Sequence, residues 1–467
     1  MLFTEPRFAI FFAAVFSTYW ICKSNNVRKN ILLAASYIFY GSWDWRFALM
    51  LAALSIADYY FARGIVATER QTLRRVFVFL SVTMNISVLF IFKYFNFFVD
   101  SAISAANYMH IALDYSTVHI ILPVGVSFFT FQSLSYTIDV YRREMPPAKS
   151  LRDYLLFAAF FPQLVAGPIV RPKKFLPQLE AARTVSSREV RLAMVLFLVG
   201  FAKKMCIADN ISPFVDEIFS NPTAYDVESS ISAVWLYAVQ IYCDFSGYSD
   251  MAIAVAAMLG YKLVINFDAP YLATSIQEFW RRWHISLSSW IRDYIYISLG
   301  GRSPNRLRTY RNLFLTMLAG GLWHGAAWTF VAWGGAHGTS QIVQQEYRYW
   351  RERGVKIKLG RFLGWLLTIN IVCMCWILFR APDFSTARIL LERYLGLAAG
   401  GSEQIPRWLI ALPIVLLIVQ LLLRKYNVLW RFALLDAERF AFIYGAAAAL
   451  IVAMLPFGYK PFIYFQF

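Results

Sequence analysis

Apolar positions along this chain gather into long runs instead of alternating with polar ones. The early runs are Phe8–Cys22, Asn30–Tyr40, Phe47–Phe61, Val76–Val99, His119–Val140, Leu155–Val170, Val190–Ile207, Ile231–Tyr242 and Met251–Val264. The later ones are Asn312–Gly338, Phe362–Phe379, Trp408–Leu423 and Phe440–Phe457. A full crossing needs roughly 20 residues, so several runs are short for one. The pattern predicts an all-α, polytopic membrane protein of about eleven transmembrane helices, joined by re-entrant and amphipathic ones.

Two stretches depart from a plain span. Leu155–Val170 contains Pro162, Gly167 and Pro168, and a helix so punctuated stops part-way; such backbone survives at depth only where protein or water surrounds it. This predicts broken helices around a cavity. In Glu278–Tyr294 the residues Phe279, Trp280, Trp283, Leu287, Trp290, Ile291 and Tyr294 recur at helical period, which predicts one amphipathic helix with an aromatic face. On it, His284 falls with Trp280, Leu287 and Ile291 and points inward, whereas Arg282 points toward headgroups or an anionic ligand. The charged segment Glu346–Arg361 reads as a surface helix against lipid headgroups or as a solvated connector.

Composition agrees with the membrane reading: 59% hydrophobic and 16% charged residues cannot clothe a water-soluble surface of 467 residues. A net charge of +17 would suggest nucleic acid in a soluble chain. Here the basic residues sit between apolar runs, which the positive-inside rule explains, so no nucleic-acid partner is expected and membrane lipid is. Lys23, Arg28 and Lys29, then Arg63, Arg70, Arg74 and Arg75, mark cytoplasmic loops and place the N-terminus outside; Asp100–Val118, without Lys or Arg, belongs outside. The alternation breaks at Arg171, Lys173 and Lys174, as re-entrant runs would make it. Ala208–Ser230, acidic and without basic residues, reads as an outside loop. The first run lacks a basic leader and a cleavage site, so it reads as a retained helix. With no visible repeat and no long linker, residues 1–467 read as a single integral membrane domain.

Cys22, Cys206, Cys243, Cys373 and Cys375 lack metal-ligand spacing, and neither a disulfide framework nor a metal site is expected. The histidines carry more weight. Gly320-Gly321-Leu322-Trp323-His324-Gly325 places an imidazole among small residues inside an apolar run, and an ionisable group at bilayer depth is costly unless it works or is paired. The glycines let a substrate or another backbone come close. His337, thirteen residues on, would lie about 220° around a continuous helix and so read as structural, unless Gly334 and Gly335 break it. His110 and His119 fall in or beside the outer loop. Asp244 and Asp250 line a tunnel or pair with Lys203 and Lys204.

Several motifs together carry a resemblance. Phe161-Pro-Gln-Leu-Val-Ala-Gly-Pro168, Tyr242-Cys-Asp-Phe-Ser-Gly-Tyr-Ser-Asp250, Phe279-Trp-Arg-Arg-Trp-His-Ile-Ser-Leu-Ser288 and Leu322-Trp-His-Gly325 resemble the membrane-bound O-acyltransferase family, within it the alginate O-acetyltransferase branch. The similarity runs from Tyr40-Gly-Ser-Trp-Asp-Trp45 to the ending Phe462-Ile-Tyr-Phe-Gln-Phe467. It implies helices around a central tunnel reaching a buried catalytic histidine, here His324, with the family's second histidine at His284. It also implies a cytoplasmic acyl donor, acetyl-CoA in the alginate branch, a bacterial inner-membrane location, and an extracytoplasmic polysaccharide as final acceptor. No permanently bound cofactor is implied.

The chemistry suits these residues apart from the name. Acyl transfer to a hydroxyl needs a base as the oxygen attacks the carbonyl, and an imidazole of pKa ~6.5 suits that task. His324 is expected to be the base, with His284 positioning the donor, bonding the developing oxyanion, or simply packing. Arg281, Arg282 and Arg292 are weaker candidates for holding the donor's phosphates, since arginines at a membrane interface also anchor to headgroups. The outer loops include no soluble domain able to grip a polymer, so a periplasmic acetyltransferase partner protein is expected. The rival readings are a transporter or flippase, or a noncatalytic assembly subunit of a polysaccharide export system.

Overall fold

The computed structural model describes residues 1–111, 120–165, 167–354, 360–426 and 428–456. His119, the 355–359 stretch of Glu346–Arg361 and the ending Phe462–Phe467 lie outside them. Among the described residues the fold is helices and turns, with an isolated bridge between Tyr225 and Glu403 and no strand. By length and composition four helical stretches among the described residues can cross a bilayer: Trp45–Ala67, Gln71–Tyr108, Arg361–Arg380 and Arg407–Tyr426. The other apolar runs became shorter, interrupted or more polar helices, so the expected eleven spans are not read from helix length alone. The chain divides into two compact units, Met1–Ala193 with Ala252–Val264, and Met194–Met251 with Ile265–Phe467.

The first unit opens with α1 (Pro6–Ile21), α2 (Asn25–Gly41), α3 (Trp45–Ala67), α4 (Gln71–Leu89) and α5 (Phe95–Tyr108). It continues with α6 (Val126–Tyr141), α7 (Leu151–Ala159), the short α8 (Phe161–Leu164), α9 (Pro172–Phe175) and α10 (Ser187–Ala202), whose end enters the second unit. The predicted break around Pro162 is present: α7 stops at Ala159, and the described residues between α8 and Arg171 are irregular. Asp100–Val118 is not simply a loop, because α5 carries its helix to Tyr108. The positive-inside count also needs correction. Arg28 and Lys29 lie within α2 and are buried, Arg28 donating to the Tyr19, Cys22 and Arg183 carbonyls and Lys29 pairing with Asp153 at 2.8 Å. Arg74 is buried in α4 and donates to the Tyr141 carbonyl. These three cations satisfy the protein's own acceptors instead of marking a loop.

In the second unit come α11 (Asp209–Ser220), α12 (Val227–Met258), α13 (Ile276–Arg282), α14 (Ile285–Ile291), α15 (Arg306–His324) and α16 (Trp328–Glu352). They are followed by α17 (Arg361–Arg380), α18 (Phe384–Tyr394), α19 (Leu412–Tyr426), α20 (Val428–Ala433) and α21 (Ala437–Ala453). Three expectations change here. Ala208–Ser230 is largely the helix α11, and its Asp209 is buried against Lys204. The run Ile231–Tyr242 and the first part of Met251–Val264, as far as Met258, share one helix, α12, and the polar residues between them are matched. Lys204 meets Asp244 and Lys203 meets Asp250, both at 2.7 Å, so the paired reading of the two aspartates is the one observed. A Cβ on Gly247 would lie 2.6 Å from the Gly200 carbonyl oxygen, so this glycine lets two backbones touch.

The third change concerns Asn312–Gly338, which is no single span. It breaks at Gly325–Ala327, and α15 and α16 fold against each other as a hairpin. Glycines set the approach: a Cβ on Gly321 would overlap the Phe330 carbonyl oxygen, and one on Gly334 would sit 2.5 Å from that of Met317. Asn305 caps α15, accepting from the Leu307 and Arg308 N–H groups. Gly334→Ala is therefore expected to push the two helices apart at a cost of about 1–3 kcal/mol. Thermal unfolding in detergent micelles would register the loss, and an unchanged midpoint would show that the hairpin can relax around a methyl group.

Candidate active site

The break in Asn312–Gly338 determines where its histidine sits. Gly325, extended at φ −158°, ends α15 and leaves His324 as its last residue, 3% exposed. The imidazole is ringed by aromatics, with centroids 4.9 Å from Trp333 and 5.2 Å from Phe379, both close to edge-on. The hairpin also changes the position expected for His337, though not the structural reading of it. The geometry of one continuous helix no longer applies, and α16 turns His337 back to within 4.8 Å of the same Trp333 ring. His337 is fully buried against Phe279, Trp280 and Trp333, and neither of its ring nitrogens meets a hydrogen-bond partner among the described residues.

His284 reaches this cluster differently from the sequence expectation. Glu278–Tyr294 is not one helix: it breaks at Trp283 and His284, and His284 adopts a left-handed backbone, φ 42° and ψ 54°. That conformation is costly for a residue with a Cβ, so the surroundings must hold it. Ser275 caps α13 by accepting from the Glu278 N–H, while Glu278 accepts from the Thr274 N–H and hydroxyl, a variant of the capping box. The inward direction expected for His284 stands, although the helical register behind it does not, and the residue is wholly buried. Its ring lies 4.6 Å from Phe245 and 5.9 Å from Trp323, whose indole lies 4.9 Å from His324. His284, Trp323, His324, Trp333 and His337 thus form a row of alternating imidazole and indole rings.

A cavity of about 530 Å³ opens onto this row at His324 and Trp333. Its walls come from α13 to α16 and carry Arg281, Arg292, Arg302 and Arg348. Arg292 pairs with Asp293 at 2.7 Å, whereas no carboxylate among the described residues forms a salt bridge with Arg281, Arg302 or Arg348. Burial, then the neighbouring charges of Arg281 and Arg302, pushes the Arg348 guanidinium down from its usual range, despite opposing attraction from Glu352. Arg282 does not line the cavity: it binds Glu278 at 2.5 Å and the Asp268 carbonyl at 3.3 Å. A buried imidazole and guanidiniums in one cavity suit an anionic substrate that carries a reacting carbonyl.

Sequence reading overlooked Arg302, Arg348 and Asn266. The arginines carried a faint signal, as cations flanking the hairpin; Asn266 carried none, since it lies outside every motif and is brought to His284 only by folding.

Comparison with known proteins identifies the family. The family model described as MBOAT, membrane-bound O-acyltransferase family, matches residues 37–381. A protein of Azotobacter vinelandii named "Probable alginate O-acetylase AlgI" is 40% identical over 391 residues, 83% of this chain and 76% of the relative. A Helicobacter pylori "Peptidoglycan O-acetyltransferase" is 35% identical over 429 residues, 85% of this chain and 80% of the relative. A Streptococcus thermophilus "Teichoic acid D-alanyltransferase" is 27% identical over 288 residues, 55% of this chain and 68% of the relative. The buried histidine row and its cavity lie within or beside the matched segment, and the chain belongs to the membrane-bound O-acyltransferase family, a membrane enzyme of O-acyl transfer.

Proposed function

We propose that this enzyme is an O-acetyltransferase of the bacterial inner membrane. It takes an acetyl group from a cytoplasmic donor, acetyl-CoA, and passes it across the membrane for O-acetylation of an extracytoplasmic polysaccharide such as alginate. The observation that carries the reading is the cavity joining His324 to Arg281, Arg302 and Arg348. The guanidiniums suit the donor's phosphates, with Arg292 also in the wall, and apolar lining residues such as Leu287, Ile291, Leu313 and Met317 suit the acyl thioester. His324 takes the proton of the acceptor hydroxyl as its oxygen bonds to the acyl carbon. The carbon–sulfur bond then breaks, and the thiolate leaves with the proton that His324 held, so no acyl-enzyme is needed. The N-terminus lies outside, lipid surrounds the spans, and a periplasmic acetyltransferase partner completes delivery to the polymer.

The relatives' names support an acetyl group and an envelope polymer: two carry O-acetyl chemistry in their names, one on alginate and one on peptidoglycan. The test is transfer of radiolabelled acetyl from acetyl-CoA by the purified protein in nanodiscs, with candidate periplasmic partners and polysaccharides added. Acetyl release or transfer supports the reading. Passage of a glycan with no acyl chemistry would replace it with the transport alternative. Charge-assisted hydrogen bonds contribute about 1.5–3 kcal/mol each, so Arg281→Ala combined with Arg348→Ala is expected to raise the donor KM at least ~10-fold with kcat nearly unchanged. An unaltered KM would remove these arginines from the donor site.

A further inference from the structure

Asn266 is 1% exposed and meets His284 through both its main chain and its side chain. Its carbonyl oxygen accepts from the Ile285 N–H at 2.9 Å. Its side-chain Oδ1 lies 3.1 Å from His284 Nδ1, and it also accepts from the Ser286 N–H at 3.2 Å and the Ser286 hydroxyl at 2.9 Å. The other end of the amide, Nδ2, donates to the Ser249 hydroxyl at 3.2 Å. This arrangement fixes which end of the amide is which. A backbone N–H can only donate, so the atom facing the Ser286 N–H must be the oxygen; the reverse orientation would set donor against donor.

The tautomer of the histidine follows. An amide oxygen can only accept, so His284 Nδ1 must carry the proton in the bond between them. In the neutral ring Nε2 then holds the lone pair. A neutral imidazole in this form offers no N–H at Nε2 and cannot donate from there to a developing oxyanion. We propose that Asn266 is a positioning residue that holds His284 as the neutral Nδ1–H tautomer, making Nε2 a nitrogen that accepts a hydrogen bond, while the transferred proton goes to His324. Of the roles open to His284, this selects an acceptor, one that takes a hydrogen bond from a hydroxyl or thiol, over an oxyanion donor. The same residue supports the left-handed backbone that aims the ring, because Asn266 binds the two N–H groups immediately after His284.

This assignment rests on the acyltransfer reading for its catalytic meaning, but the tautomer is measurable without activity. Histidine-selective nitrogen-15 NMR of the full-length protein in nanodiscs, with the His284 signals identified by their loss in His284→Gln, is expected to show a protonated Nδ1 and an unprotonated Nε2. A proton on Nε2 with Nδ1 bare would overturn the proposal whether or not the preparation transfers acetyl groups. In activity assays Asn266→Leu, which keeps bulk but accepts no hydrogen bond, is expected to lower kcat ~10²-fold or more, within the range of lost acid–base assistance, with little change in donor KM. Asn266→Asp, whose carboxylate still accepts from Nδ1, is expected to retain the tautomer and recover part of that loss. Should Asn266→Leu keep both the Nδ1–H signature and full kcat, Asn266 is not the positioning residue. Should wild type show the tautomer but no acyl transfer under any condition, the enzymatic reading fails and takes with it the catalytic role given to Nε2.

Discussion

Replacing His324 by alanine is expected to lower kcat for acyl transfer by about 10²–10⁴-fold, the usual worth of a positioned general base, while donor KM stays near wild type. The geometry separates the two parameters. His324 and the arginines proposed to bind the donor are separate residues of the cavity wall, so the base can be removed without touching the guanidiniums. Nor should the hairpin collapse, since its close approach is set by Gly321 and Gly334 against opposing backbone rather than by the imidazole. His337→Ala is the matched control: its ring is equally buried and packs on the same Trp333, yet it does not line the cavity. A catalytic His324 predicts a far larger fall in kcat for His324→Ala than for His337→Ala. Comparable falls would mean that both rings serve as packing, and unchanged turnover in His324→Ala would refute the base assignment outright.

The features legible in the sequence were those that depend on local pattern. Pro162 and Gly167 announced a broken helix because a missing N–H and a missing Cβ act on the chain nearby. His324 stood out because an imidazole among glycines and apolar residues is costly in any membrane fold. Features that depend on tertiary pairing were read wrongly or missed. Arg28 and Lys29 looked like loop cations, since nothing local tells of the Arg183 carbonyl or the Asp153 carboxylate. The apolar periodicity of Glu278–Tyr294 continues through His284, so the pattern gave no warning of a left-handed residue held by Asn266 from eighteen positions away. His337 moved from the far side of an imagined helix to the neighbourhood of His324 because the chain turns at Gly325, not at Gly334 or Gly335. Hydrophobic period finds helices; it does not find where a hairpin folds them back.

The largest effect on stability is expected at Lys204, outside the cavity. A π-helical stretch, Lys203–Ala208, follows α10 and brings the Lys204 ammonium 2.7 Å from both Asp209 and Asp244, all three side chains at most 4% exposed. Two carboxylates thus share one buried cation. Lys204→Met keeps much of the apolar stem but leaves the two acids together in the interior, and stripping one partner from a buried ionic group costs about 3–5 kcal/mol. Asp244→Asn, by contrast, leaves one lysine facing one aspartate and keeps an oxygen in place, so it should cost much less. The expected order of unfolding lifetimes at fixed temperature in micelles is wild type, then Asp244→Asn, then Lys204→Met well below both. The loss should also reach the active site, because Asp244 adjoins Phe245, the ring that packs 4.6 Å from His284. Reduced kcat accompanying the shortened lifetime would connect the ion network to the histidine row. Equal lifetimes for Lys204→Met and Asp244→Asn would show instead that the two acids do not depend on the lysine for their burial.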